Sequence, residues 1–304
     1  MTTIDYLCPV VTPLKEDATI DEQGCISLWD HLIAHGVSGF LVLGSLGEFH
    51  SLSALEKQKL AKLAGEYISD KAELIVGVQS NSQPETVDFA NSALKAGADS
   101  VMLLPPYYMP YSESELQQYF TDVLPSINGN VFIYNFPDCT GNNLSSTLIR
   151  KIFDANSNVV GVKDTVATPA TTAQLIQEFR DEDNFRIYSG LDGNFFHNVL
   201  SGGAGAIAGM SNVFPELTSL AVDTAGESIG KAKSVQQLLD RASAIYAYSP
   251  SLSGAVKTAL QARGVQITNR CAGFSTRVSD SDRSEIEAIV RDIEREIAVL
   301  KEVR

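Results

Sequence analysis

Cysteine is scarce in this sequence. Its four cysteines, Cys8, Cys25, Cys139 and Cys271, are scattered without a C-x-x-C pair. That spacing excludes a zinc-ribbon pattern and offers no disulfide framework. Positive charge is also short: 23 Lys and Arg stand against 37 Asp and Glu, for a formal net charge of −14. A chain without a basic excess lacks the electrostatic face that nucleic-acid binding uses. An anionic substrate cannot be drawn in by net charge either, so it requires local donors such as backbone N–H groups. No apolar run approaches the ~18 residues of a membrane span. The opening "MTTIDYLCPVVTPLKED" has no basic segment leading into an apolar one, so a cytoplasmic location is expected.

Cofactor signatures are missing as well. "GESIGKAK" (226–233) has too few residues between its glycines for a phosphate loop, and Ala232 stands where Ser or Thr would hold magnesium. "GGAGAIAG" (202–209) lacks G-x-G-x-x-G spacing and ends a strand, so its glycines read as packing positions. His31 and His35 have helical i, i+4 spacing without the intervening Glu of H-E-x-x-H, which favours a surface or capping role. Neither a metal nor a cofactor is expected.

What the chain does have is a recurring run of apolar, β-branched segments. Candidate strands fall at 8–14, 39–45, 72–78, 99–105, 130–136, 158–164, 185–191 and 205–209. Most are continuously apolar, as strands buried on both faces should be. Amphipathic helical segments lie between them at 53–68, 83–98, 113–127, 145–156 and 168–181. Eight such alternations indicate a (β/α)8 TIM barrel, an α/β fold. Beyond about residue 225 the strand signals stop. Segments 231–248, 251–264 and 281–304 read as helices, the last with Ile286, Ile289, Val290, Ile293, Ile297 and Leu300 in one stripe. The expected organisation is a catalytic barrel over 1–225 and a C-terminal helical unit over 226–304, packed on the barrel or on a neighbouring chain.

In such a barrel the chemistry sits where the strands end. Strand two ends in "GSLGE", strand four in "PPYYMP", strand five in "IYNFPDCTG", strand six in "VKDT" and strand seven in "SGLDG". These ends supply a lysine, tyrosines, a serine and glycines, with no glycosidase-type carboxylate pair and no metal cluster. Lysine is almost never buried without a partner. Burial disfavours a charged amine, and a neutral amine attacks a ketone to form a Schiff base. The imine then withdraws electrons, so a nearby carbon–carbon bond can break or form without a metal. A phenol such as Tyr134 suits the proton transfer this needs.

Taken in order, "VVTPL", "GSLGE", "PPYY", "YNFP-x-x-TG", "GVKDT" and "GGAGAI" resemble the dihydrodipicolinate synthase / N-acetylneuraminate lyase family of pyruvate-dependent class I aldolases. The resemblance is strong over about 5–225 and weaker in the helical tail. It implies that Lys163 forms the imine with pyruvate or a 2-keto acid, with no cofactor. Tyr134 would be the acid/base phenol, Ser45 a relay hydroxyl, and Tyr108 the relay's last member, reaching in from a neighbouring subunit. That implies a homo-oligomer, a dimer or a tetramer. The N–H groups of Ser45 and Leu46 would hold the substrate carboxylate, and the carbonyl of Ile207 would lie near the keto-acid end. Read without the resemblance, Ser45 could be a helix N-cap, and Tyr107 and Tyr108 interface aromatics.

Departures from the family pattern bear on the substrate. Dihydrodipicolinate synthases carry an arginine where this chain has Cys139, and a thiol offers no cationic fork for a carboxylate. Thr165, two past the lysine, resembles lyases whose substrates carry hydroxyls. Asp192, two past Gly190, matches the sugar-binding aspartate of those lyases, though a helix N-cap would explain it equally. The chain looks most like 2-keto-3-deoxy-sugar-acid aldolases, which release pyruvate and a small hydroxyaldehyde. Leu46 and Gly209 depart from relatives that carry hydroxyls there. The other readings are a sialic acid lyase, a dihydrodipicolinate synthase, a dehydratase using the same imine, and a non-catalytic sugar-acid-binding barrel.

Overall fold

A computed structural model describes residues 3–226, 229–249, 251–274 and 277–302. Glu227 and Ser228 of "GESIGKAK", and the last two residues of the final helical reading, lie outside the described residues. Eight strands follow in order: β1 (Asp5–Leu7), β2 (Gly39–Val42), β3 (Glu73–Gly77), β4 (Ser100–Leu103), β5 (Asn130–Asn135), β6 (Val159–Asp164), β7 (Arg186–Ser189) and β8 (Gly205–Ile207). Each pairs in parallel with its neighbour from β2 round to β8, and β8 pairs with β1. The last seam is stitched by backbone. The Cys8 N–H donates to Gly39 O (2.9 Å), Leu41 N–H to Cys8 O (2.8 Å) and Val10 N–H to Leu41 O (3.1 Å). The (β/α)8 barrel expected from the sequence is therefore the observed fold.

The first strand is displaced from its expected place. The ladder occupies Asp5–Leu7; a bridge from Cys8 to Phe40 and the Val10 N–H to Leu41 O bond are what extend it toward β2. "CPVVTPL" continues as loop. Pro9 and Pro13 have no N–H to give a ladder, so apolar character alone misplaces the strand.

The lumen is identified by an ion pair. Arg186 at the start of β7 bonds Glu73 at the start of β3 at 2.6 and 3.0 Å. Those strands lie four apart in an eight-strand ring, so the contact crosses the interior at its N-terminal end. Register then assigns the inward faces. Gly161 pairs with Arg186 and Phe132, and Lys163 with Tyr134 and Tyr188. A Cβ on Gly161 would lie 2.3 Å from Arg186 O and 2.5 Å from the Phe132 ring, so this inward position admits only glycine.

Outer helices form where the sequence caps them. Ser53 with Glu56, and Ser112 with Glu115, make reciprocal capping boxes on Ala54–Ile68 and Glu113–Val123. The His31/His35 spacing belongs to Glu22–Ala34, a helix whose C-cap is His35. There the His35 ring Nδ1 donates to the His31 carbonyl at 2.7 Å, a capping contact. At the C-terminal end, Ile229–Ala242, Leu252–Ala262 and Asp280–Glu302 are helical, as expected. Ile286, Val290, Ile293 and Ile297 are buried, while Ile289 and Leu300 pack at the margin. That stripe faces the other two helices of the same chain. Ser253–Leu260 is buried throughout, because this helix lies against the short helix Met210–Val213 that follows β8.

Candidate active site

Lys163 is the penultimate residue of β6 and only 4% exposed. Its Nζ lies 4.4 Å from the centroid of the Tyr134 ring, a cation–π distance. The phenol is itself buried, and its hydroxyl lies 3.5 Å from Ser45 Oγ. Lysine, phenol and serine hydroxyl thus form one chain from β6 through β5 to the turn after β2. That turn is tightly wound, with Leu43 at φ 60° and Glu48 at φ 61°. Non-glycine residues in this region cost about 1–3 kcal/mol each. Ser45 caps no helix, because Ser53 caps the one that follows.

The strained turn is held from outside the barrel. Glu48, 3% exposed, accepts from Lys257 Nζ (2.5 Å) and from the Ala272 N–H (2.6 Å). Lys257 is fully buried and also donates to Arg270 O at 2.7 Å. Ser253 Oγ donates to Leu46 O at 3.0 Å. The C-terminal helix Leu252–Ala262 therefore grips the turn that carries Ser45 and Leu46. Sequence reasoning missed this brace. Its only signal was a lysine inside an otherwise apolar helix, "GAVKTAL".

Thr165, just past β6, is anchored by its N–H to Asn135 O (2.8 Å), while its buried Oγ1 has no hydrogen-bond partner. Gly190 is what admits that hydroxyl, since a Cβ there would sit 1.8 Å from Thr165 Oγ1. Asp164 accepts from Asn135 Nδ2 (2.9 Å) and Thr172 Oγ1 (2.6 Å), and burial pushes its carboxyl above the usual range.

Asp192 is buried and held by neighbouring elements. Its Oδ1 is taken up by the Tyr6 hydroxyl (2.5 Å) and the Met210 N–H (2.9 Å), and burial raises its carboxyl. It opens a 3-10 turn whose N-cap is Leu191, so the helix N-cap reading of Asp192 does not hold. In this chain it ties β1, β7 and the turn after β8 together. Gly209 in that turn has a steric reason. A Cβ there would lie 2.0 Å from the Tyr246 hydroxyl and 2.8 Å from Leu46 Cδ1, so the phenol fills the place of a side chain. Ile207 is fully buried in β8, opposite Leu7.

A cavity of about 640 Å³ opens above this layer, lined by Ser45, Phe49, Tyr107, Phe136, Cys139 and Ser253 among others. Ser45 belongs both to the cavity wall and to the lysine–phenol chain. Cys139 lies in the turn Pro137–Thr140, and burial, with Asp138 beside it, raises its thiol. Tyr107 stands edge-on to Phe49 at 6.2 Å. Tyr108 is not brought to Tyr134 within this chain: it is 89% exposed, at φ 82°.

Comparison with known proteins follows the same lines. The model of the dihydrodipicolinate synthetase family matches residues 4–293. YagE of Escherichia coli K12, provisionally named a 2-dehydro-3-deoxy-D-gluconate aldolase, is 28% identical over 287 residues, covering 94% of this chain and 95% of that one. YjhH of the same organism, provisionally named a 2-dehydro-3-deoxy-D-pentonate aldolase, is 28% identical over 285 residues, covering 93% and 94%. A 4-hydroxy-tetrahydrodipicolinate synthase of Methanococcus maripaludis is 32% identical over 231 residues, covering 76% and 78%. The crystal structure of YagE in complex with pyruvate superposes with a TM-score of 0.92 over 97% of this chain and 99% of that one.

Proposed function

The chain belongs to the dihydrodipicolinate synthetase family, and on that premise we propose that it is a Schiff-base (class I) aldolase that reversibly cleaves a 2-keto-3-deoxy sugar acid into pyruvate and a hydroxyaldehyde. The observation that carries this reading is Lys163, buried at the barrel mouth with its amine over Tyr134 and the Tyr134 hydroxyl beside Ser45. The pyruvate bound in the YagE crystal structure supports the keto-acid half. The names carried by YagE and YjhH support the sugar-acid half.

The chemistry needs no metal or cofactor. Lys163 Nζ attacks the C2 carbonyl, water leaves, and a protonated imine forms. Tyr134 takes the proton of the C4 hydroxyl as the C3–C4 bond breaks, and the bond's electron pair flows to the imine. The aldehyde departs, C3 of the enamine is reprotonated, and water hydrolyses the imine to pyruvate and free lysine. The N–H groups of Ser45 and Leu46 hold the carboxylate, supplying the local donors that a chain of net charge −14 requires. Thr165 Oγ1 faces the hydroxylated part of the substrate. Cys139 at the cavity wall offers no cation for a second carboxylate, which favours an uncharged aldehyde over the synthase reaction.

Reduction with borohydride in the presence of pyruvate should add a pyruvate-derived mass to the peptide containing Lys163. An unmodified Lys163, or an adduct on another lysine, defeats the mechanism. Pyruvate release should then be fastest from 2-keto-3-deoxygluconate or the pentonate. Preference for N-acetylneuraminate, or turnover only as a synthase with an acidic aldehyde, removes the sugar-acid assignment but keeps the imine.

A further inference from the structure

Gln79 lies two residues past the end of β3. The Val78 N–H donates to Met102 O at 3.1 Å, so the β3–β4 ladder runs on beyond Gly77. Gly77 pairs with Met102, and Leu103 with Ile133, which carries the register forward to set Gln79 beside Leu104 and Leu104 beside Tyr134. Tyr134 pairs with Lys163. One row of the ladder thus reads Gln79, Leu104, Tyr134, Lys163.

The alternation also aims Gln79 inward. Glu73 crosses the lumen to Arg186, so residues 75, 77 and 79 face the interior with it. Gly77 fits this placement, since a Cβ there would lie 3.2 Å from Gln79 Nε2. The side chain is only 3% exposed, yet neither Nε2 nor Oε1 has a hydrogen-bond partner. An orphaned buried polar group is destabilising, whereas an apolar residue of the same shape fills such a place without that cost. Thr165 Oγ1, also buried without a hydrogen-bond partner, follows Lys163 by two residues.

We propose that Gln79 is a specificity-determining residue that hydrogen-bonds the hydroxylated, aldehyde-derived part of the substrate. The amide carries donors on Nε2 and an acceptor on Oε1. A carboxylate only accepts and satisfies Nε2 alone. Hydroxyl groups both donate and accept, so a polyol segment satisfies both ends. The assignment rests on the aldolase reading and deepens it, because it places recognition of the aldehyde's hydroxyls on β3, across the mouth from Thr165.

The test compares condensation of pyruvate with D-glyceraldehyde and with propanal, which has the same carbon count and no hydroxyls. Wild type should show a higher kcat/KM for glyceraldehyde. Gln79→Met should lower the glyceraldehyde-to-propanal ratio by about ten- to a hundredfold, as expected for one or two lost hydrogen bonds. The same variant should melt at a higher temperature, because the orphaned amide is gone. The ratio is independent of how much of each preparation is folded. A ratio unchanged within about twofold, with the pyruvate adduct present on wild-type Lys163, overturns the role of Gln79 alone. Absence of that adduct in wild type overturns the aldolase reading, and this assignment with it.

Discussion

At the scale of single residues, the site is shaped by what its neighbours leave room for. Gly161, Gly190 and Gly209 each stand where a Cβ would strike a named atom: the Phe132 ring, the Thr165 hydroxyl and the Tyr246 hydroxyl. Asp192 shows the cost of a buried acid. Its carboxyl is raised above the ordinary value of 3.8, by burial first, against the opposing Tyr6 hydrogen bond. The folded chain holds that proton more tightly than the unfolded one. Its contribution to stability is therefore full below 3.8 and lost as the pH rises through the raised value. Asp192→Asn keeps an Oδ1 acceptor for Tyr6 and Met210 and removes the charge. Melting temperature measured against pH should show the variant gaining on wild type as the pH rises from 4 to 7. A gap that stays flat or narrows over that range removes the linkage.

At the scale of elements, the turn after β2 depends on a helix more than two hundred residues away. The Lys257–Glu48 pair is fully desolvated and completed by Arg270 O and the Ala272 N–H. Removing one partner leaves a buried charge uncompensated. Lys257→Met should therefore cost about 3–5 kcal/mol in urea unfolding, and the double variant Lys257→Met/Glu48→Leu should recover a large part of it. If the double variant loses as much as the single ones combined, the pair is not coupled. The same brace explains why the C-terminal helices matter to the site. Their stripe was readable from spacing, but their grip on "GSLGE" was not, because it pairs Glu48 with a lysine far off in sequence.

At the scale of the whole molecule, Tyr108, Met109 and Tyr111 leave an exposed aromatic and apolar stretch beside the cavity, 89%, 54% and 42% exposed. A tyrosine so exposed, at φ 82°, fits the reading in which it completes the relay of a second copy. Sedimentation should give a dimer or larger, and Tyr108→Phe should lower kcat about tenfold or more while pyruvate still traps on Lys163. A fully active monomer would contradict both. The charge of −14 sets no obstacle to such an assembly, since exposed charges more than about 8 Å apart are largely screened at physiological salt.

The sequence by itself determined the eightfold alternation, the strand that carries Lys163 near its end, and the place of Tyr134 and Ser45 at the ends of two other strands. Continuous apolar runs and glycine positions are local properties, and a barrel turns strand ends into one site by topology alone. Tertiary structure decided what local pattern cannot carry. It moved the first strand to Asp5–Leu7, because the prolines after Cys8 have no N–H to pair. It committed Asp192 to Tyr6, explained Gly209 by Tyr246, and set Gln79 in the row of Lys163 with its amide unpaired. Each of these depends on which distant side chain occupies the space beside a residue, and that is settled only when the barrel closes and the C-terminal helices pack on it.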